Sequence, residues 1–379
     1  MTRICLLVLG LLFMTGCGAA ATGAQQLALG SPGVWSARKA VRSIASGTAT
    51  PESEPALWLA DDRGVTELAI DGTATEAWKP PKFTRVLRLE AMDLDDDGAS
   101  EWVVTLMGTR IRSLLLGWRD GAWVELARGR PGFLRPVIGP DGVPVLLGQS
   151  AGSDRPFVGP IKEVTLKDGK LVDGEALRLP PQLSVHDVFW VPEGDRVRLF
   201  SVESTDHLGE RDPRSPRALI WRSDGRVVSR PVVVDREATN LLGEDVDSAL
   251  ELPVPPSVLD SDCDGTYEVL TVAGSTTPVA ILQNVRVLQG ADARMLVPGA
   301  RGLEEVRRTP LLGRAMVGVV PWADVAGDLV WAAAVWVHAE AGFVRPETRV
   351  YLFDPSTGDL LPSSPPAADA TDAAEAASP

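Results

Sequence analysis

Asp93-Leu-Asp95-Asp-Asp97-Gly98-Ala-Ser-Glu101 runs straight into Trp102-Val-Val-Thr-Leu106, and from Asp260 the chain repeats the theme as Asp260-Ser-Asp262-Cys-Asp264-Gly265-Thr-Tyr-Glu268 before Val269-Leu-Thr-Val272. Each copy sets carboxylates at the first, third, fifth and ninth places of a loop with glycine at the sixth, an order suited to wrapping a hard divalent cation such as Ca²⁺. An EF-hand would add a bidentate Glu at the twelfth place, which here holds Val104 and Thr271. It would also lead into a helix, whereas both loops lead into the β-branched, apolar residues of a buried strand. The unit is loop then strand.

The expected ligands are Asp93, Asp95, Asp97 and Glu101 with the carbonyl of Ala99, and Asp260, Asp262, Asp264 and Glu268 with the carbonyl of Thr266. Four carboxylates in one nine-residue turn repel one another unless a cation sits among them. The cofactor expected is therefore structural Ca²⁺, against the plainer reading of two acidic turns without metal. This loop-strand unit resembles the FG-GAP/VCBS repeat of integrin α-subunit-like β-propellers, whose calcium loops lie between the strands of a blade. The resemblance implies an all-β propeller. A third stretch, Trp322-Ala-Asp324-Val-Ala-Gly327-Asp328-Leu-Val-Trp331, keeps the outline but few of the acids, and reads as a blade without metal.

The rest of the chain keeps the rhythm. Strand runs alternate with turn signals: Leu57 to Ala60 then Asp61-Asp-Arg-Gly64, Leu114 to Trp118 then Arg119-Asp-Gly121, Glu163 to Leu166 then Lys167-Asp-Gly169. Grouping them gives blades near 54–80, 83–128, 132–180, 184–232, 255–292 and 312–354, with 233–311 long enough to hide another. The expectation is a propeller of six or seven four-stranded blades, with tandem β-sandwiches as the alternative.

The N-terminus speaks of export. Arg3 precedes an apolar run, Ile4 to Met14, too short to span a bilayer. Met14-Thr15-Gly16-Cys17 resembles the lipobox of bacterial lipoproteins, which implies cleavage before Cys17 and acylation of that residue; Gly18 is compatible with the outer membrane. The domain reading is a signal peptide over 1–16, a lipidated Cys17 and flexible tether over 17–52 with a short helix candidate from Ser36 to Ile44, the propeller over 53–357, and a disordered Ala/Pro-rich tail over 358–379. Of three cysteines Cys5 leaves with the signal and Cys17 is lipidated, so Cys263 has no partner for a disulfide.

A net charge of −14 disfavours nucleic acid as a partner. Because 31 of the 37 basic residues are arginine, a single arginine carries little weight as a functional signal. Gly148-Gln-Ser150-Ala-Gly152 matches the nucleophile-elbow pattern, but Pro156 and Pro160 oppose the helix an elbow needs. His186, His207 and His338 have no zinc-ligand spacing and read as surface or strand-edge residues. Trp58, Trp102, Trp118, Trp190, Trp221, Trp331 and Trp336 read as core; Trp35, Trp78 and Trp123, beside turns, are candidates for a binding surface. The resulting functional expectation is an outer-membrane-anchored module binding an envelope protein or glycan, not an enzyme; the alternative is a propeller-fold polysaccharide hydrolase or lyase.

Overall fold

The computed structural model describes residues 35–361 apart from 38, 70–71, 153–156, 180–182, 195, 204–216, 224–225, 235–253, 262–263, 279–285, 300–301, 313–314, 324–327 and 338–346. Within them the chain forms six four-stranded antiparallel sheets and one 3-10 turn, Val185–Asp187.

The chain enters on a short strand, Trp35–Ala37 (β1). The first sheet follows as Val41–Gly47 (β2), Ala56–Asp61 (β3), Gly64–Leu68 (β4) and Ala74–Trp78 (β5), and the second as Arg85–Met92 (β6), Glu101–Met107 (β7), Ile111–Arg119 (β8) and Ala122–Pro131 (β9). The third comprises Phe133–Ile138 (β10), Pro144–Ala151 (β11), Phe157–Lys167 (β12) and Lys170–Ala176 (β13). The fourth comprises Val188–Glu193 (β14), Arg196–Glu203 (β15), Arg217–Ser223 (β16) and Arg226–Val234 (β17), and the fifth Ser257–Leu259 (β18), Glu268–Pro278 (β19), Arg286–Gly299 (β20) and Gly302–Arg308 (β21). The last sheet holds Ala315–Ala323 (β22), Leu329–Val337 (β23) and Glu347–Phe353 (β24), and its fourth strand is β1.

These sheets close a ring. Six apolar clusters each join two neighbouring sheets, and together they cover every junction. Trp58 of the first sheet packs with Trp102 of the second, Leu134 of the third with Val103 of the second, and Trp190 of the fourth with Phe133 of the third. Phe200 joins Val269 across the next junction, Leu270 joins Trp331 across the one after, and Leu57 joins Val330 to complete the circle. Each blade is thus covered on both faces, which explains why runs such as Leu57-Trp-Leu-Ala60 are apolar throughout instead of alternating. Tandem sandwiches have no such closed circuit; the fold is a β-propeller.

Closure depends on the N-terminus. β1 pairs antiparallel with β24, Trp35 opposite Val350 and Ala37 opposite Thr348. The hydroxyl of Thr348 donates to the carbonyl of Lys39 at 2.7 Å and accepts the amide of Val41 at 3.1 Å, while Trp336 Nε1 donates to the carbonyl of Val41 at 2.7 Å.

Three sequence expectations need correction. Residues Ser36 to Ile44 are not helical, and the tether does not reach 52, because β1 and β2 are blade strands whose apolar side chains, Val41 and Ile44 among them, are covered by the last blade. The tail does not start at 358: the amide of Leu361 donates to the carbonyl of Leu352 at 2.9 Å, so the last blade extends through residue 361. Among the described residues the stretch 233–311 holds one sheet, lengthened by a third strand of 14 residues. Residues 1–34, which include Cys17, lie outside the described residues.

Candidate metal loops and the axial cavity

Both acidic loops join the first strand of a blade to the second, β6 to β7 and β18 to β19. The two are built alike. Glu101, 3% exposed and the first residue of β7, accepts the amide of Leu94 through Oε2 at 2.9 Å; Glu268, the first of β19, accepts that of Ser261 at 2.8 Å. The leading aspartate accepts the glycine amide, Gly98 to Asp93 at 2.9 Å and Gly265 to Asp260 at 3.0 Å. The fifth-place aspartate accepts the seventh-place amide, Ala99 to Asp97 at 2.8 Å and Thr266 to Asp264 at 2.6 Å. The sharp turn requires left-handed backbone at Gly98 and Gly265, with φ of 84° and 85°.

In the first loop this folding brings carboxylate oxygens of Asp93, Asp95 and Glu101 within 4.8 Å of one another. Asp93 Oδ1 is buried with no hydrogen-bond partner. Burial, and secondarily Asp95, Asp97 and Asp93, push the Glu101 carboxyl up to about 7 against the opposing hydrogen bond from Leu94. Asp95 is raised by desolvation and by Asp97 and Asp93. An all-oxygen donor set, one oxygen buried without a partner, and acids that resist ionising together all fit a hard cation. Asp97 stands outside this trio, its Oδ1 turned to the amide of Ala99. In the second loop Asp260, Asp264 and Glu268 keep their places, while Asp262 lies outside the described residues; so does most of the third loop, 324–327.

Each loop also grips the preceding blade. The hydroxyl of Thr48, just past β2, donates to the carbonyl of Gly98 at 2.8 Å, and the amide of Ser100 donates to the carbonyl of Thr48 at 2.8 Å. Thr266 forms a bridge to Glu193 at the end of β14. The same junction, first strand of one blade to loop of the next, recurs at both sites.

A second site was not legible beforehand. Residues on or immediately beside the first strands of all six blades, β2, β6, β10, β14, β18 and β22, line one cavity of about 210 Å³. It carries Arg88, Glu90 and Arg135. Arg135, 2% exposed, donates to the carbonyls of Val185 at 3.2 Å, Val188 at 2.7 Å and Pro256 at 2.8 Å, which ties three blades together. Burial lowers its pKa to about 10 against the favourable charges of Glu90 and Asp187. The sequence did contain a signal: an arginine inside an apolar run, Val86-Leu-Arg88-Leu and Phe133-Leu-Arg135-Pro, is not a surface residue.

Other candidates resolve against function. Ser150 lies within β11, paired with Val158, and so is not on a strand-to-helix elbow. His186 is not at the surface: it sits in the 3-10 turn, 1% exposed, edge-on to Phe133 and Phe157. His207 and His338 lie outside the described residues. Trp123 is core, stacked on Trp102 at 3.6 Å, and Trp35 and Trp78 are half-buried against the blade clusters, so the three form no aromatic surface.

No family model and no curated protein matches the chain. Among solved structures, AofleA from Arthrobotrys oligospora aligns over 85% of this chain and 85% of its own, at 11% identity and a TM-score of 0.44. A protein from Thermus thermophilus named as an oxidoreductase, glucose dehydrogenase, aligns over 84% of this chain and 98% of its own, at 14% identity and a TM-score of 0.44. Neither likeness carries chemistry to this chain. The propeller rests on its own sheets and blade junctions.

Proposed function

We propose that the chain is a bacterial lipoprotein, anchored to the outer membrane through acylated Cys17, whose calcium-stabilised propeller binds a protein or glycan partner of the cell envelope. The observation that carries the calcium reading is the repetition of one clasp at two blade junctions, with Asp93 Oδ1 buried and unpartnered in the first. Ca²⁺ would be held by Asp93, Asp95, Asp97, Glu101 and the Ala99 carbonyl, and by Asp260, Asp262, Asp264, Glu268 and the Thr266 carbonyl. Its role is structural, since a loop rich in protein oxygens leaves the ion little room to act on a substrate.

Support for the anchor is the apolar segment ending in Met14-Thr-Gly-Cys17. More than one acyl chain is needed for stable attachment, which lipoprotein processing supplies. The test has two arms. Melting in EDTA and in millimolar Ca²⁺ should differ, by about 2.7 kcal/mol per site at a hundredfold excess over Kd, and Asp95→Ala should remove the first site's share. Separately, Cys17→Ser should leave the membrane fraction or accumulate as precursor. Equal melting in the two buffers together with no calcium by elemental analysis would sink the metal reading; a Cys17→Ser protein that is cut at the same place and still bound to membranes after a high-salt wash would sink the anchor.

A further inference from the structure

The axial cavity joins apolar walls to an ionic cluster. Ala45, Val137, Val258 and Val319 line it along with Arg88, Arg135 and Glu90. Two of the three charges are already engaged. Arg135 donates to three backbone carbonyls, and its Nε lies 3.8 Å from Glu90. Glu90 is shared again with His186, whose Nδ1 is 4.0 Å from the other carboxylate oxygen. Asp187, the remaining acid that acts on Arg135, accepts the amide and hydroxyl of Ser184 at 3.1 and 2.7 Å.

Arg88 is placed differently. It is 3% exposed, and its Nε, like that of Arg135, is buried without a hydrogen-bond partner, but among the described residues its terminal nitrogens have no carbonyls such as those that take Arg135's. Its opposite charge is Glu90, the carboxylate that Arg135 and His186 also draw upon. A guanidinium carries five donors in a planar fork that matches a carboxylate, and burying such a group with donors unused is costly. Nothing about β6 as a strand requires a cation here: Leu87 and Leu89, on either side, are apolar and buried.

We propose that the axial cavity binds a small organic carboxylate, its oxygens on Arg88 and its apolar part against the alanine and valine walls. One uncommitted guanidinium facing one acid favours a monoanion over phosphate. A cavity of about 210 Å³ is smaller than the ~300–1,000 Å³ of sites for drug-sized molecules, which limits the occupant to a few carbon atoms. This site is separate from the calcium loops and goes beyond the envelope-binding reading.

Calorimetric titration of the full chain with butyrate, and in parallel with inorganic phosphate at matched ionic strength, tests it. Butyrate should bind saturably and at least about tenfold more tightly than phosphate, and Arg88→Met should weaken butyrate about tenfold or more. Ser46→Leu leaves every charge in place but fills the cavity it lines, and should abolish binding even if Arg88→Met proves unfolded. No saturable heat from wild type, butyrate binding unchanged in a folded Arg88→Met or in Ser46→Leu, or phosphate binding as tightly as butyrate would each overturn the proposal. Repeating the wild-type titration in Ca²⁺ separates this result from the calcium reading, because butyrate binding should persist there whether or not calcium changes the melting temperature.

Discussion

Arg135 shows how one side chain can organise a propeller. Its guanidinium reaches carbonyls on both sides of the fourth blade's first turn and ahead of the fifth blade, so it holds three blades at the axis. Arg135→Met would keep much of the packing volume but leave three carbonyls without a donor and Glu90 without its nearest guanidinium. We expect a loss of about 3–5 kcal/mol, the range for removing one partner of a buried ionic group, measured as a fall in urea midpoint at unchanged slope. A shift below 1 kcal/mol would show that water replaces the guanidinium. Trp331, wholly buried on β23, is the apolar counterpart: Trp331→Ala should cost about 3–5 kcal/mol through the cavity it opens.

The acidic loops act as elements joined to two partners. From the order of residues alone a cation held by the loop would be tied to the strand that follows it. The structure adds a second attachment: the first loop's Gly98 and Ser100 bond Thr48, and the second loop's Thr266 bridges Glu193. Calcium should therefore stiffen a blade junction as well as a turn. Hydrogen exchange in Ca²⁺ and in EDTA is expected to show slower exchange with metal over 93–101 and also over 48–53, a segment that contributes no ligand. Protection confined to 93–101 would mean that the junction forms without the ion. Gly98 has a part in this contact, since a Cβ there would meet Pro51 Cβ at 3.3 Å on a left-handed backbone; Gly98→Val should weaken the clasp with or without calcium.

At the scale of the whole molecule, stability follows from closing the ring. No blade buries both its faces alone, and the last blade takes its outer strand from the opposite end of the chain. Removing residues 1–33 should leave cooperative melting in place, as should removing 363–379. Removing 1–52 deletes β1 and β2, uncovers Val330 and Trp336, and is expected to abolish the cooperative transition. A truncated 53–379 chain that melts as sharply as the longer one would show that closure by the N-terminus is dispensable.

What the sequence by itself determined was local: two acidic loops in one register, the strand after each, and turns at blade spacing. These were legible because carboxylate spacing, turn glycines and apolar runs act within about ten residues. The groupings 83–128 and 132–180 fall close to the second and third sheets for the same reason. The entry strand was misread as tether because three residues, Trp35–Ala37, have no strand signal of their own; their partner, Glu347–Phe353, lies about three hundred positions away. The axial cavity was hidden by the same physics. Arg88, Glu90 and Arg135 sit on separate blades or beside apolar neighbours, and only the closed ring brings six first strands around one axis, where burial turns ordinary charges into a site.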